Sequence, residues 1–558
     1  MYALQPQSLP RGLIRTQVAG HNLRGAAFVK RFFAFCRRHW ILTGIVLFLF
    51  LASQLLLAHS RGPHRSYRAD IILSAGITNE PVGRLLVGVG KTDITPDLSK
   101  YDTFVDVNNN NKYDPEDGDR FEDTNGNGKV DAVWIAGFGN NRPAKYVHDP
   151  LWARAIAFEN NGVRVVLVTV DSIGLFYEET IAIRKMLDPS LKIDHLVISC
   201  THNHEAPETM GIWSVGLERP YLRFDEGYMD VVRKGIVSAV EVAARQLLPA
   251  EAVLAEAEAG PEGYVDDSRL PHVYDNIVRC VRFVKPRSDE TIATLVVWGN
   301  HVETLGGSSP WLTSDFAHYL REGVEKGLVD PKGVEGLGGM CLYFQGMVGG
   351  LMTQLHTTVP HRNGRDEFRE GTFEKARALG ENVAALAINA LRGPEATPME
   401  DTQVAVSARS VFITPKPFFR LALFLGLVHP GYFGGKARTE VDALRVGDIE
   451  ILTIPAELYP EIAEGGIEAP AGADFGIEPV ETPPLRSLMR GKMNLVIGLA
   501  NDEIGYIIPK SQWDVEPPYA YERSKPQYGE ENSFGPEVGP EIHREAVKVL
   551  EELHLMMK

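Results

Sequence analysis

Residues 41–58 read ILTGIVLFLFLASQLLLA, an 18-residue run with no charged side chain. With Trp40 and His59 it reaches the roughly 20 residues that a helix needs to cross ~30 Å of hydrocarbon. It has no polar face, so it lacks the amphipathic stripe of a helix that docks on a soluble core. The run also divides the chain by charge. Arg11, Arg15, Arg24, Lys30, Arg31, Arg37 and Arg38 precede it without an acid, and the remainder carries 50 basic against 73 acidic residues. The positive-inside rule then predicts a basic cytoplasmic arm over 1–39, a single transmembrane signal anchor over 40–59 and an extracytoplasmic body. A cleaved signal peptide has a short basic region and an apolar region of about 7–15 residues, which fits less well. Ala58-His59-Ser60 is a possible cleavage site, so secretion stays open. Cys36 lies on the cytoplasmic side, as a free thiol or an acylation site.

The acidic body argues against nucleic acid as a partner, because phosphate contacts need clustered Lys and Arg. Four cysteines in 558 residues exclude a disulfide scaffold. Cys200, Cys280 and Cys341 follow the apolar run, an odd number that leaves at least one without an intrachain partner. Residues 60–84 read as a linker, and the folded body is expected from about Leu85 to Lys558.

Within the body, Val/Ile/Leu runs at 85–89, 163–170, 195–200, 293–298, 449–454 and 494–499 suit strands buried on both faces. Helical patterns at 227–247, 315–327, 373–392 and 540–556 separate several of them. The fold class expected is α/β, a layered mixed-sheet catalytic domain preceded by one transmembrane helix.

DVNNNNKYDPED (106–117) and DTNGNGKVD (123–131) repeat a D-x-N-x-N start with a ninth-position Asp. Calcium takes six to eight oxygens, and loops of this type supply them from positions 1, 3, 5, 7 and 9. The candidate ligands are Asp106, Asn108, Asn110, the Lys112 carbonyl, Asp114 and Asp117 in one loop. In the other they are Asp123, Asn125, Asn127, the Lys129 carbonyl and Asp131. The alternative is a solvated Asn/Asp/Gly-rich loop. The segment, about 100–134, reads as an insert.

Four of the β-type runs deliver metal-type side chains just past their ends: Thr201-His202-Asn203-His204-Glu205, Gly299-Asn300-His301, Pro455-Ala456-Glu457 and Glu503-Ile504-Gly505-Tyr506. Open α/β sheets place their sites beyond strand carboxyl ends. Zinc favours imidazole and carboxylate ligands and, in a catalytic site, keeps a position for water. Spacing alone leaves the metal site and an ordinary set of structural loop histidines about equally open.

VGVGKTDITP (87–96), AGFG (136–139), HDPLWARAIAFENNGVRVVLVTVDSIGL (148–175) and HLVISCTHNHEAPET (195–209) resemble the neutral/alkaline non-lysosomal ceramidases. The resemblance continues through WGNHVETLG (298–306), LTSDF (312–316), FQGMVGG (344–350), IPAELYPEI (454–462) and LANDEIGYIIP (499–509). It implies a zinc-dependent amidohydrolase of linear amides that cleaves ceramide to a sphingoid base and a fatty acid by zinc-activated water. Carried over residue by residue, it implies His202, His301, Glu457 and Tyr506 as zinc ligands, with Glu503 as a competing carboxylate. His204 then orients substrate or shuttles a proton, Tyr506 helps stabilise the oxyanion, and Arg269 in DDSRLP is the nearest match to an active-site Arg. Gly350 and Met352 stand where the family has Asp and Ser, and Glu205 where it has a small residue beside the metal. Two alternatives stay open: a zinc hydrolase of another amide or ester, and a non-catalytic, calcium-stabilised surface protein.

Residues 418–428 (FFRLALFLGLV) are apolar but too short to cross a bilayer. The plain reading is a buried core element. The other is a hydrophobic loop that meets the outer leaflet or lines a lipid channel.

Overall fold

The computed structural model describes residues 38–75, 83–213, 224–329, 331, 333–428 and 431–557. The chain forms two units, Met1–His59 and Ser60–Lys558. In the first, the described residues are helical from Trp40, within a helix spanning Trp40–Arg61. That helix is long and apolar enough to cross a membrane, and its large apolar side chains are exposed, as a lipid-facing or signal segment requires. The arm over 1–37, with Cys36, lies outside the described residues.

The second unit is built on three sheets. In the first, His195–Cys200, Val163–Val170, Trp152–Asn160, Leu86–Asp93 and Leu248–Pro249 lie side by side. The second runs Met340–Gln345, Thr291–Trp298, Ile277–Val284, Glu251–Glu258 and Thr397–Pro398. The third runs Asp70–Ser74, Val404–Ile413, Lys436–Val446, Ile449–Thr453 and Met493–Ile497, with Tyr432–Phe433 paired to Lys436–Val446. Alternation of side chains along each strand makes one face of every sheet part of a common core. Val165, Leu167 and Val197 from the first meet Val281, Leu295 and Leu342 from the second and Val406, Leu444 and Ile451 from the third. The opposite faces are covered by helices. Glu226–Arg245 lies on the first sheet, Asp315–Lys326 and Phe373–Arg392 on the second, and Val538–Met556 on the third. With both faces buried, the strands need no polar alternation, which is why they read as continuous apolar runs.

Each sheet contains one parallel pair: Val163–Val170 with His195–Cys200, Thr291–Trp298 with Met340–Gln345, and Ile449–Thr453 with Met493–Ile497. The carboxyl ends of these pairs meet. Gly498 N donates to Gln345 O (3.0 Å), Cys200 N to Leu499 O (3.1 Å), and Gln345 Nε2 to Thr201 O and Asn300 O (both 2.8 Å). Glycine permits this approach. A Cβ on Gly299 would lie 2.2 Å from Met347 O, and one on Gly498 would lie 2.5 Å from Gly346 O. We expect Gly498→Ala to destabilise the fold by at least about 1–3 kcal/mol, the usual range for overpacking, since only backbone can yield there. Thermal or urea unfolding checks this, and an unchanged midpoint would contradict the close junction.

Two features differ from the sequence expectations. The body begins before Leu85, because Asp70–Ser74 pairs antiparallel with Val404–Ile413 inside the stretch expected to be a linker. This strand lies at a sheet edge and is largely exposed, so it lacks the buried apolar run that marks the others. Residues Pro417–Leu425 form a helix that buries Ala422 and Leu423 but exposes Phe418, Leu421 and Leu425, so it is not a buried core element. Cys200, Cys280 and Cys341 are all free and buried, and each lies on a strand within a hydrophobic core.

The calcium-type segment is held by two buried carboxylates outside the proposed ligand set. Asp102 accepts from Thr124 N and Asp131 N, and Asp119 from Val107 N and Asp114 N. Strands Thr103–Val105 and Arg120–Glu122 pair between the two loops. Within them Asp106 accepts from Asn110 N and Asn111 N and pairs with Lys145 (3.0 Å), while Asp123 accepts from Gly126, Asn127 and Gly128 N.

Candidate metal centre

The three parallel pairs bring the expected side chains to one place. His202 and His204 leave the first sheet, His301 the second, and Glu457 and Tyr506 the third. Glu457 and Tyr506 are register partners in a short parallel ladder, Glu457–Leu458 with Tyr506–Ile507. His202 occupies the left-handed region (φ 59), an uncommon backbone state for a non-glycine residue and one that clusters at functional sites.

The imidazoles are oriented from behind. His202 Nδ1 lies 2.8 Å from Ile173 O, and His301 Nδ1 lies 2.7 Å from Met352 O. A carbonyl only accepts, so each Nδ1 carries a proton and each ring turns its Nε2 toward the site. Both Nε2 atoms face the same Glu457 carboxylate oxygen, at 3.4 Å from His202 and 3.0 Å from His301. Lone pairs do not face a carboxylate at this range without positive charge between them. Either extra protons supply it or a cation does. Without a cation, burial pushes the His301 pKa down, but the hydrogen bond to Glu457 and the charge of Glu303 outweigh this and raise it to about 9. Burial likewise tends to raise Glu457, yet His202 and His301 hold it down at about 2. Backbone-oriented histidines converging on a carboxylate have the build of a metal site.

Ligand atoms of His202, His204 and His301 all lie within 4.8 Å of one another. His204 differs from the other two, because neither of its ring nitrogens has a hydrogen-bond partner although the residue is buried. Its nearest carboxylate is Glu303 Oε2, 3.3 Å from Nδ1. Burial, then the neighbouring His202, His301 and Arg142, push its pKa well below the ordinary histidine value, so the ring is neutral. The AGFG motif explains how it fits: a Cβ on Gly137 would lie 2.4 Å from His204 Nδ1, and Phe138 meets the ring edge-on at 5.0 Å. Tyr506 is buried beside Glu457; burial and then the charge of that carboxylate keep its phenol protonated.

Other expected residues fall elsewhere. Glu205 turns away from the histidines into a buried ion pair with Arg142 (3.1 Å), so it does not stand beside the metal position. The Arg269 guanidinium is held by both oxygens of Glu530 (2.8 and 2.6 Å) and by the carbonyls of Tyr528 and Gln512. It reaches the site through Tyr528, which lines the cavity, and not with its own charge. Glu503 does line the cavity. Its Oε1 accepts from Gly505 N (2.8 Å) and its Oε2 is buried without a partner. Burial and then the charge of Glu457 raise its pKa well above the carboxylate range. Met352 is buried in the hydrophobic core around Val302, so the position offers no hydroxyl. The neighbouring Thr353 hydroxyl donates to Glu303 (2.5 Å). Sequence reasoning missed Glu303; its place two residues after His301 was the available signal.

His195, Glu440 and Asp442 form a second buried convergent group. Arg184 fills it through hydrogen bonds to both Glu440 oxygens, so it is a closed ion-pair network.

The histidine site forms the floor of a cavity of about 570 Å³. His202, His204, Glu457, Glu503 and Tyr506 line it together with apolar side chains of the Pro417–Leu425 helix.

Comparison with known proteins places the fold. No protein-family model and no curated protein matches the chain. Among solved structures, neutral ceramidase from Pseudomonas aeruginosa superposes with a TM-score of 0.58 at 15 % identity, covering 85 % of this chain and 75 % of that one. A ceramidase complexed with C2 gives 0.58 at 14 %, covering 85 % and 76 %. The chain therefore has a ceramidase-like mixed α/β fold.

Proposed function

We propose that the chain is a zinc-dependent hydrolase that cleaves the amide bond of an N-acyl lipid, ceramide being the first candidate. One observation carries this reading: His202 and His301, each with Nδ1 fixed by a backbone carbonyl, aim their Nε2 atoms at one oxygen of Glu457, which lines a largely apolar cavity. The ceramidase-like fold supports it.

His202, His301, Glu457 and Tyr506 would hold the ion. Zinc bound there supplies a Lewis acid and makes a bound water acidic near neutral pH. His204, neutral and with unbonded ring nitrogens, is placed to accept a proton and return it to the leaving amine. The protonated Tyr506 hydroxyl is a donor for charge that develops on the carbonyl oxygen. The apolar cavity takes the hydrocarbon chains and keeps bulk water from the reacting groups.

The test is metal analysis of the purified full chain, followed by hydrolysis of ceramide, short acyl esters and acyl amino acids with and without chelator. One zinc per chain and chelator-sensitive ceramide cleavage are expected. Full activity in metal-free protein would overturn the reading. Met352, an apolar side chain where the ceramidases carry Ser, favours a second reading with the same metal but an ester or non-sphingoid amide as substrate. The same panel of substrates separates the two.

In this reading Trp40–Arg61 is an uncleaved anchor with its N-terminus cytoplasmic and the body outside. The tandem loops 106–117 and 123–131 are calcium sites that stabilise the insert. Calcium is then expected to raise the melting temperature, and an Asp123→Ala/Asp131→Ala variant to lose that increment. An equal response in both proteins would remove calcium from the account.

A further inference from the structure

The helix Pro417–Leu425 presents two apolar faces. Ala422 and Leu423 are buried in the body, while Phe418, Leu421 and Leu425 are 72 %, 58 % and 42 % exposed at helical spacing. Leu427, just beyond it, is 39 % exposed. A contiguous exposed row of large apolar side chains is uncommon on a soluble surface and marks a place where something else covers it. The same residues line the cavity that His202 and His204 line, so the exposed row borders the space that holds the histidine site.

Three further observations identify the cover. Phe424 meets the Tyr432 ring at 5.5 Å, which joins the helix to the strand Tyr432–Phe433. That strand belongs to a belt of cations over aromatic rings: Arg68 lies 4.6 Å from the Phe412 centroid and 5.2 Å from Phe433, and Arg61 lies 5.9 Å from Phe433. Basic side chains beside aromatic rings suit the headgroup layer, where each ring has one apolar and one wet side and anionic lipids attract the charge. The chain also enters the body here, with Gly431 N donating to Ser60 O at 2.9 Å. By connectivity alone, the residues that directly follow an apolar span lie at the membrane surface.

We infer that the Pro417–Leu425 helix docks in the outer leaflet of a lipid bilayer and opens the cavity mouth to it, so that a lipid reaches the site from the membrane and not from water. The docking stands on surface chemistry and on the anchor proposed above, and the passage of substrate rests on the proposed hydrolase function.

The experiment uses the full chain reconstituted in phosphatidylcholine/phosphatidylserine vesicles with quencher-bearing acyl chains. A polarity-sensitive fluorophore is placed at Leu421→Cys in a Cys36→Ser background, with Phe418→Cys as a second position should the first fail to fold. Val329→Cys, at a residue 87 % exposed, is the comparison. A label about 5–10 Å below the headgroups shifts to the blue and loses roughly half its emission to the quencher. That result is expected at 421 and 418 and not at 329. Labels at 421 and 418 that stay unquenched would overturn the docking, whatever the enzyme hydrolyses. Quenching at both positions in a protein that cleaves no lipid amide would uphold the docking and overturn the proposed substrate instead.

Discussion

Glu457→Gln is expected to lose the bound metal and more than about 100-fold in kcat/KM, because changing groups that merely orient metal ligands already costs about 10- to 100-fold. Gln keeps the shape of Glu457 but not its charge. It leaves two Nε2 lone pairs, now 3.0 and 3.4 Å away, facing a neutral carbonyl or amide. On the proposed function His301→Ala removes a ligand outright, and its loss is expected to be at least as large. The informative measurement is metal stoichiometry beside the rate: both should fall together while the circular dichroism spectrum stays unchanged. A Glu457→Gln protein that holds zinc at full occupancy and turns over normally would mean that this carboxylate serves only to neutralise imidazolium charge.

The second large effect is on stability. Arg269→Met strands the Glu530 carboxylate, only 2 % exposed, without its bidentate partner. Breaking a buried pair from one side costs about 3–5 kcal/mol, whereas replacing both partners with apolar groups can be close to neutral. The double variant Arg269→Met/Glu530→Leu is therefore expected to recover most of the loss in chemical denaturation. It also separates two roles. If activity returns with stability, Arg269 acts by holding Tyr528 and the 528–530 segment in place. If stability returns and activity does not, the guanidinium takes part at the site, as the sequence resemblance alone implies.

Much of this arrangement was legible because it is local. Strands buried on both faces announce themselves as Val/Ile/Leu runs, and the side chains that follow their carboxyl ends are named by adjacency. Adjacency thus offered His202, His204, His301, Glu457, Glu503 and Tyr506 as candidates, and the family resemblance, not the spacing, singled out His202, His301, Glu457 and Tyr506. What was not legible depends on partners far away in the chain. Nothing in the sequence around Glu205 shows that Arg142, across 63 positions, draws it from the histidines. Nothing in DIILS shows that Val404–Ile413 offers it an edge. The grouping of the strands into three sheets is likewise a matter of pairing, which periodicity does not encode. The 418–428 run failed for another reason. Apart from Arg420 the segment is apolar throughout, so it has no pattern to distinguish a buried helix from one with an exposed apolar face.

The junction of the three sheets has a consequence for how the molecule matures. His301 and Glu457 are separated by 156 positions, and each donor set comes from a different sheet. No fragment of the growing chain holds the whole set, and after His202 and His301 have emerged all of the third sheet but its edge strand Asp70–Ser74 is still to come. On the proposed function the complete ligand set therefore exists only once all three sheets have closed on one another. A ligand that binds only the closed form adds RT ln(1 + [L]/Kd), about 2.7 kcal/mol at a hundredfold excess over Kd. The resistance of this protein to unfolding would then track the free metal ion concentration of its surroundings, and a chain with one misdocked sheet would be recognisable by its failure to retain the ion.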